Sequence, residues 1–101
     1  MYNDYDYDYD YFINKFNNIP DDQWTTDRFT NEAGQHCAYG HCGANRLGAG
    51  VFDTEEASAL YKLDIKHDLG FVNDGKHKHY QQPTPRERVV AYLTNLKQGL
   101  V

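Results

Sequence analysis

The sequence has no run of apolar residues long enough to cross a membrane. Its opening residues are acids and tyrosines, where a secretory leader needs bases followed by an apolar segment. Both absences point to a soluble, cytoplasmic chain. Cysteine is scarce: Cys37 and Cys42 cannot make a disulfide framework, and their separation suits reduced thiols better than a staple. No catalytic signature appears, neither a glycine-rich phosphate loop nor a nucleophile with an orienting base and acid. The expectation is a non-enzymatic protein with no cofactor. Positive charge is also short, with 10 Lys and Arg against 15 Asp and Glu and a net charge of -5, which argues against nonspecific binding to a nucleic-acid backbone. At 101 residues the chain is one domain, 1–101, with residues 1–5 expected to fray, and one small core leaves little room for a large cleft.

What charge there is lies unevenly. Residues 1–34 carry Asp4, Asp6, Asp8, Asp10, Asp21, Asp22, Asp27 and Glu32 against Lys15 and Arg28. Residues 76–101 carry Lys76, Lys78, Arg86, Arg88 and Lys97 against Glu87 alone. The front repels nucleic acid and the rear attracts anions.

The opening MYNDYDYDYDYF alternates tyrosine and aspartate, which by itself suggests a strand. Only a helix, however, places Tyr5, Tyr9, Phe12, Ile13 and Phe16 on one stripe together with the residues that follow. Asp4, Asp6 and Asp8 then stand at its positive end, and Asn17, Asn18 and Pro20 stop it. Trp24–Thr30 is short, aromatic and rich in threonine and reads as a strand. Residues 36–47 read as a helix in which small residues allow close approach, and Gly48 and Gly50 end it. In DTEEASALYKL either Asp53 or Thr54 caps a helix whose buried face is Ala57, Leu60 and Tyr61. Phe71–Val72 reads as a short buried strand before a turn at Asn73, Asp74 and Gly75. The strongest local signal is Thr84-Pro85-Arg86-Glu87, an N-cap, a proline at the first helical position and a capping-box glutamate, ahead of Val89, Val90, Leu93, Leu96 and Leu100 at helical spacing. The fold class is therefore α+β, mostly α, with about four helices and a minor two-stranded β element.

The order of these marks resembles a family of small bacterial and phage proteins, a domain of unknown function. The residues that carry the resemblance are Trp24, Cys37-Ala38-Tyr39-Gly40, Asn73-Asp74 after an apolar segment, and a last helix entered at Thr84 with Val90 and Leu93, within residues 11–98. The tyrosine and aspartate repeat lies outside it. The resemblance implies a mostly helical fold and a bacterial or phage source, and implies no activity.

Three groups of residues are candidates for chemistry. Cys37 and His41 are spaced to share a helix face, and His77 with His79 completes a metal set if that loop folds over them, whereas the bland reading is small buried thiols and surface histidines. A cysteine nucleophile lacks an orienting acid and an oxyanion hole. Lys76, Lys78 and Tyr80 precede a helix opening at Thr84, with Arg86 and Arg88 in its first turns, an arrangement suited to phosphate with the tyrosine stacking on a base. The bland alternative is a soluble loop whose arginines pair with the chain's own acids.

The composite expectation is a small binding protein, of the phage-type accessory or anti-defence kind, that sequesters an anionic ligand such as a signalling nucleotide through Lys76, Lys78, Tyr80, Thr84, Arg86 and Arg88. The alternatives are an acidic inhibitor whose tyrosine-rich front mimics nucleic acid on a basic host enzyme, and a metal-dependent protein using Cys37/His41 and His77/His79. Five tyrosines in the first eleven positions exceed what a small core buries, which suggests a contact with a twin subunit, making a homo-oligomer, or with a host protein.

Overall fold

The computed structural model describes residues 7–44 and 54–100. Among them are five helices, α1 (Tyr9–Asn17), α2 (Ala38–His41), α3 (Glu55–Leu63), α4 (Leu69–Asn73) and α5 (Pro85–Lys97), with a 3-10 turn at Asp21–Gln23. The long helices start where side chains supply the missing acceptors. Asp8 caps α1 by accepting from the Tyr11 amide, Thr54 caps α3 through the Ala57 amide, and Thr84 caps α5 through the Glu87 amide. In the last case the Thr84 hydroxyl also donates to the Glu87 carboxylate.

Helix α5 is the centre of the molecule, packed against α1 on one side and α4 on another. It contributes Val89, Tyr92, Leu93 and Leu96 to the core, while Val90 is half-buried and Leu100 is exposed. Helix α1 brings Phe12 and Phe16, both with no exposed surface, as the expected stripe requires. Tyr5 of that stripe, with Asp4 and Asp6, lies outside the described residues. Aromatic contacts continue from Phe12 through Phe16 to Trp24 and on to His41, with ring centroids 6.0, 5.6 and 4.7 Å apart. Such pairs add about 0.5–1.5 kcal/mol each beyond the area they bury. Helix α3 buries Ala57 and Leu60, but Tyr61 turns outward and is exposed.

The described residues contain no strand or sheet, so the expected two-stranded β element is absent and the fold is helical. Two local causes account for this. Within Trp24–Thr30, Asp27 takes a left-handed φ of +68° and turns the chain. Only isolated bridges remain, from Trp24 and from Thr30, both to His36. At Phe71–Val72 a helix wins because its first amides find an acceptor in the preceding turn: the Asp64 carboxylate accepts from the Asp68 and Leu69 amides. Gly75, at φ +75°, follows the end of α4. Val72 is buried and Phe71 faces outward.

The helix expected over residues 36–47 shrinks to the single turn of α2, with Cys37 as its cap and Gly43 at φ +94° beyond it; residues 45–47, like Gly48 and Gly50, lie outside the described residues. Gly40 in that turn is indispensable. A Cβ there would lie 2.0 Å from the Phe29 carbonyl oxygen, which accepts from the Cys37 amide.

Two buried polar residues tie the short elements to the long ones. Asp64 is 2% exposed and accepts from the Tyr39 hydroxyl (2.8 Å), the Tyr92 hydroxyl (2.6 Å) and the two α4 amides. It thus joins α2, α4 and α5. Asn73, 1% exposed, accepts from the Ala38 amide and donates to the Thr25 carbonyl and the Asp74 carboxylate, which pins α2 and the 25–27 turn to α4.

Candidate functional site

The cations expected to surround the opening of α5 do not converge on a guest. Arg86 makes a two-pronged contact with Asp21, Nε to Oδ1 at 2.9 Å and Nη2 to Oδ2 at 3.2 Å, and Nη1 donates to the Asn17 carbonyl. Arg88 points inward, 8% exposed, and donates to the carbonyls of Val72, Gln82 and Asn73, so it fastens α4 and the preceding loop to α5. Burial lowers its pKa, yet three carbonyl dipoles hold the guanidinium in place. Lys76 pairs with Asp27 at 2.7 Å across the surface. The Thr84 hydroxyl is occupied by its own helix. Of the six residues chosen from the sequence, Lys78 alone is an exposed cation without an ion pair.

Tyr80 is the sixth, and it leads elsewhere. The loop between α4 and α5 carries His77, His79 and Tyr80 onto the other side of α5. There they line a cleft of about 520 Å³ with Tyr92 and Asn95 of α5 and with Lys66 and Asp68 from the α3–α4 connection. Leu100 closes one edge. That volume is within the ordinary range for small-molecule sites, and it exceeds what the chain's length led one to expect. The loop is organised by its own bonds. The His79 amide donates to His77 Nδ1 at 3.2 Å, and Gln81 Nε2 donates to the His77 carbonyl at 2.7 Å.

Because His77 Nδ1 is an acceptor, its ring proton resides on Nε2, which faces Asp68 Oδ2 at 3.4 Å. His77 and Asp68 therefore partly satisfy each other. Among the described residues Lys66 finds no ion-pair partner, and the ring nitrogens of His79 carry no hydrogen bond. The groups left for a ligand are the Lys66 ammonium and the His79 imidazole in the cleft and Lys78 on the same loop.

The hydroxyl of Tyr80 accepts from Asn95 Nδ2 at 2.9 Å, and its ring is held edge-on by His77 and Tyr92, centroids 5.1 and 5.5 Å away. Lys66, Asp68 and Asn95 were not singled out in the sequence. A signal existed for the last: Arg88, Tyr92 and Asn95 recur at helical spacing, a polar stripe on a helix otherwise read for its apolar face.

The two histidine and cysteine pairs stay apart. His41 packs against Trp24 and His36, with its Nε2 buried and unpartnered, and burial with the neighbouring His36 lowers its pKa to about 4. Cys37 Sγ accepts from the Gly40 amide, and burial raises its pKa. Among the described residues no three His, Cys, Asp or Glu side chains are grouped to hold a metal ion.

In the N-terminal tyrosine and aspartate repeat the described side chains are engaged by the fold. Asp8 caps α1 and Asp10 pairs with Lys97 at 2.6 Å. Tyr7 packs on Phe12, Tyr9 donates to the Leu63 carbonyl at 2.8 Å, and Tyr11 donates to Glu56. Glu56 also accepts from Lys15 at 2.6 Å. Burial works to raise its pKa, but Lys15, Tyr11 and the Cys42 thiol hold it below the usual carboxylate range. These tyrosines serve the chain's own packing, so the surplus that suggested a twin subunit or a host surface shrinks to Tyr2 and Tyr5, outside the described residues.

No family model, curated protein or solved structure matches this chain. No helix among the described residues is long and apolar enough to cross a membrane.

Proposed function

We propose that the protein is a non-enzymatic binding module that takes a small anionic ligand in the cleft between the α4–α5 loop and α5. The observation that carries this reading is the 520 Å³ cleft in which Lys66 and His79, neither of them ion-paired, stand beside the Tyr80–Asn95 pair. The proposed site keeps Tyr80 and Lys78 from the sequence reading. It leaves Lys76, Thr84, Arg86 and Arg88 to structural duties. Sequestration of a metabolite or signalling nucleotide in the cytoplasm is the use such a site serves, because it needs affinity and copy number and no reacting group. The bacterial or phage source is part of the same proposal.

Thermal melting with inorganic phosphate, ribose 5-phosphate and a panel of nucleotides tests it. A ligand at a hundredfold excess over its Kd adds about 2.7 kcal/mol, roughly 10–20 °C of Tm in a domain this size. The shift should vanish in the Lys66→Gln, His79→Gln double variant and survive in Arg86→Gln. No shift at millimolar concentration with any probe overturns the proposal.

A further inference from the structure

We propose that the cleft reads the hydrogen-bonding edge of a nucleobase through Tyr80 and Asn95, so that its ligand is a nucleoside phosphate and not a simple anion. This rests on the reading of the cleft as a ligand site. Tyr80 is 4% exposed and fixed between His77 and Tyr92. Its hydroxyl oxygen is occupied by Asn95 Nδ2, but among the described residues its own proton has no acceptor and Asn95 Oδ1 has no donor. Tyr92, by contrast, spends its proton on Asp64.

The pair therefore offers the cleft the Tyr80 proton and the second Asn95 N–H as unspent donors and Asn95 Oδ1 as an unspent acceptor. With the Asn95 amide reversed, Oδ1 takes the Tyr80 proton and leaves the Asn95 N–H₂ as donor beside the Tyr80 oxygen as acceptor, so a donor adjoins an acceptor whichever amide atom is nitrogen. A donor beside an acceptor complements a lactam or amidine edge, in which a ring N–H adjoins a carbonyl or an amino group adjoins a ring nitrogen. Phosphate and carboxylate oxygens offer acceptors, and the hydroxyls of a sugar phosphate are not fixed in one plane as such an edge is. Such a pair discriminates once a guest covers it, because a guest that cannot answer it leaves both groups desolvated and unmatched. Lys66 and His79 remain for the phosphate, which is the sequence-tolerant part of the recognition.

The experiment is isothermal titration of the full chain with ribose 5-phosphate and the four common ribonucleoside 5′-monophosphates, repeated on Tyr80→Phe. The tightest nucleotide should bind at least tenfold better than ribose 5-phosphate. In Tyr80→Phe that advantage should fall to within about threefold while ribose 5-phosphate affinity stays the same. Asn95→Ala should do likewise and serves if Tyr80→Phe proves unfolded by circular dichroism. Equal affinity for ribose 5-phosphate and every nucleotide, or equal weakening of both by Tyr80→Phe, overturns base-edge reading and leaves anion capture standing. Absence of binding by all five probes overturns both.

Discussion

Replacing Asp64 by Asn should remove a large part of the protein's stability, and the structure allows the size to be worked out. Oδ1 accepts from the Tyr92 hydroxyl and the Asp68 amide, and Oδ2 from the Tyr39 hydroxyl and the Leu69 amide. An amide in the same place keeps only one of those oxygens. At the other position its N–H₂ group faces a tyrosine, which can rotate its proton away and accept, and a backbone amide, which cannot. One buried N–H is then orphaned at about 1–3 kcal/mol, and the surviving bonds lose their charge assistance at about 1 kcal/mol each. Relief from burying a carboxylate offsets part of this.

The net loss should be about 2–4 kcal/mol, against a total of about 5–15 kcal/mol for a domain. Urea denaturation should show a lower midpoint at unchanged slope, with Tm lower by roughly 10–25 °C. The tyrosines provide the internal control. Tyr92→Phe should destabilise the parent more than it destabilises Asp64→Asn, because the second background has already lost that acceptor's charge. A drop in Tm of less than about 4 °C, or strictly additive effects of the two substitutions, would refute the argument that this carboxylate holds α2, α4 and α5 together.

Gly40→Ala should be at least as damaging, costing about 3 kcal/mol or more by urea denaturation, since its Cβ would sit 2.0 Å from the Phe29 oxygen and that backbone cannot yield without losing the Cys37 amide bond. His41 makes stability fall on mild acidification. Its folded pKa of about 4 lies below the ordinary value, so the unfolded chain binds the extra proton first, and stability present above pH ~6.5 declines as pH falls toward 4. A His41→Gln chain should lose that slope in urea midpoints measured across the same range. Asp21→Asn, which frees Arg86, should change stability by no more than about 1 kcal/mol and leave phosphate affinity unchanged in calorimetry. A gain in phosphate affinity would restore the opening of α5 as an anion site. Cys42, buried and pushed to a raised pKa by burial and the Glu56 carboxylate, should resist a disulfide reagent at pH 8 until urea is added, when both thiols react.

The parts of the fold that were legible in the sequence are those whose cause is local. Thr84 and Pro85 announce α5, Thr54 with Glu55 and Glu56 announces α3, and Phe12 and Phe16 lie on one stripe whatever the rest of the chain does. Where the deciding contact is one that composition does not announce, the structure departs from the expectation. Phe71–Val72 is helical because the Asp64 carboxylate caps α4 from the preceding turn, and a β-prone composition gave no hint of it. Trp24–Thr30 is not a strand because its middle is anchored to α4: the Asp27 amide donates to the Asp74 carboxylate, and the Asp27 carboxylate takes Lys76. Tyr61 stands next to the buried Leu60 and faces out, since α3 is one short helix with room for a narrow apolar face.

The same distinction explains why the sequence reading named only Tyr80 and Lys78 of the proposed site. Counting charges located the basic end of the chain correctly but could not show which bases were already engaged. Asp21 lies 65 positions from Arg86 and Asp27 lies 49 from Lys76, so these two acids of the front neutralise two bases of the rear across the fold. Asp10 and Lys97 complete the pattern. The charge asymmetry along the sequence is thus largely cancelled in space, and much of what resembled a field for attracting anions is a set of surface pairs, each worth at most about 1 kcal/mol. What survives cancellation around the cleft is small and specific: Lys66 within it, Lys78 on its loop, and a tyrosine whose proton meets no acceptor among the described residues. A binding site of this kind is defined less by the charges a sequence contains than by those its fold leaves unmatched.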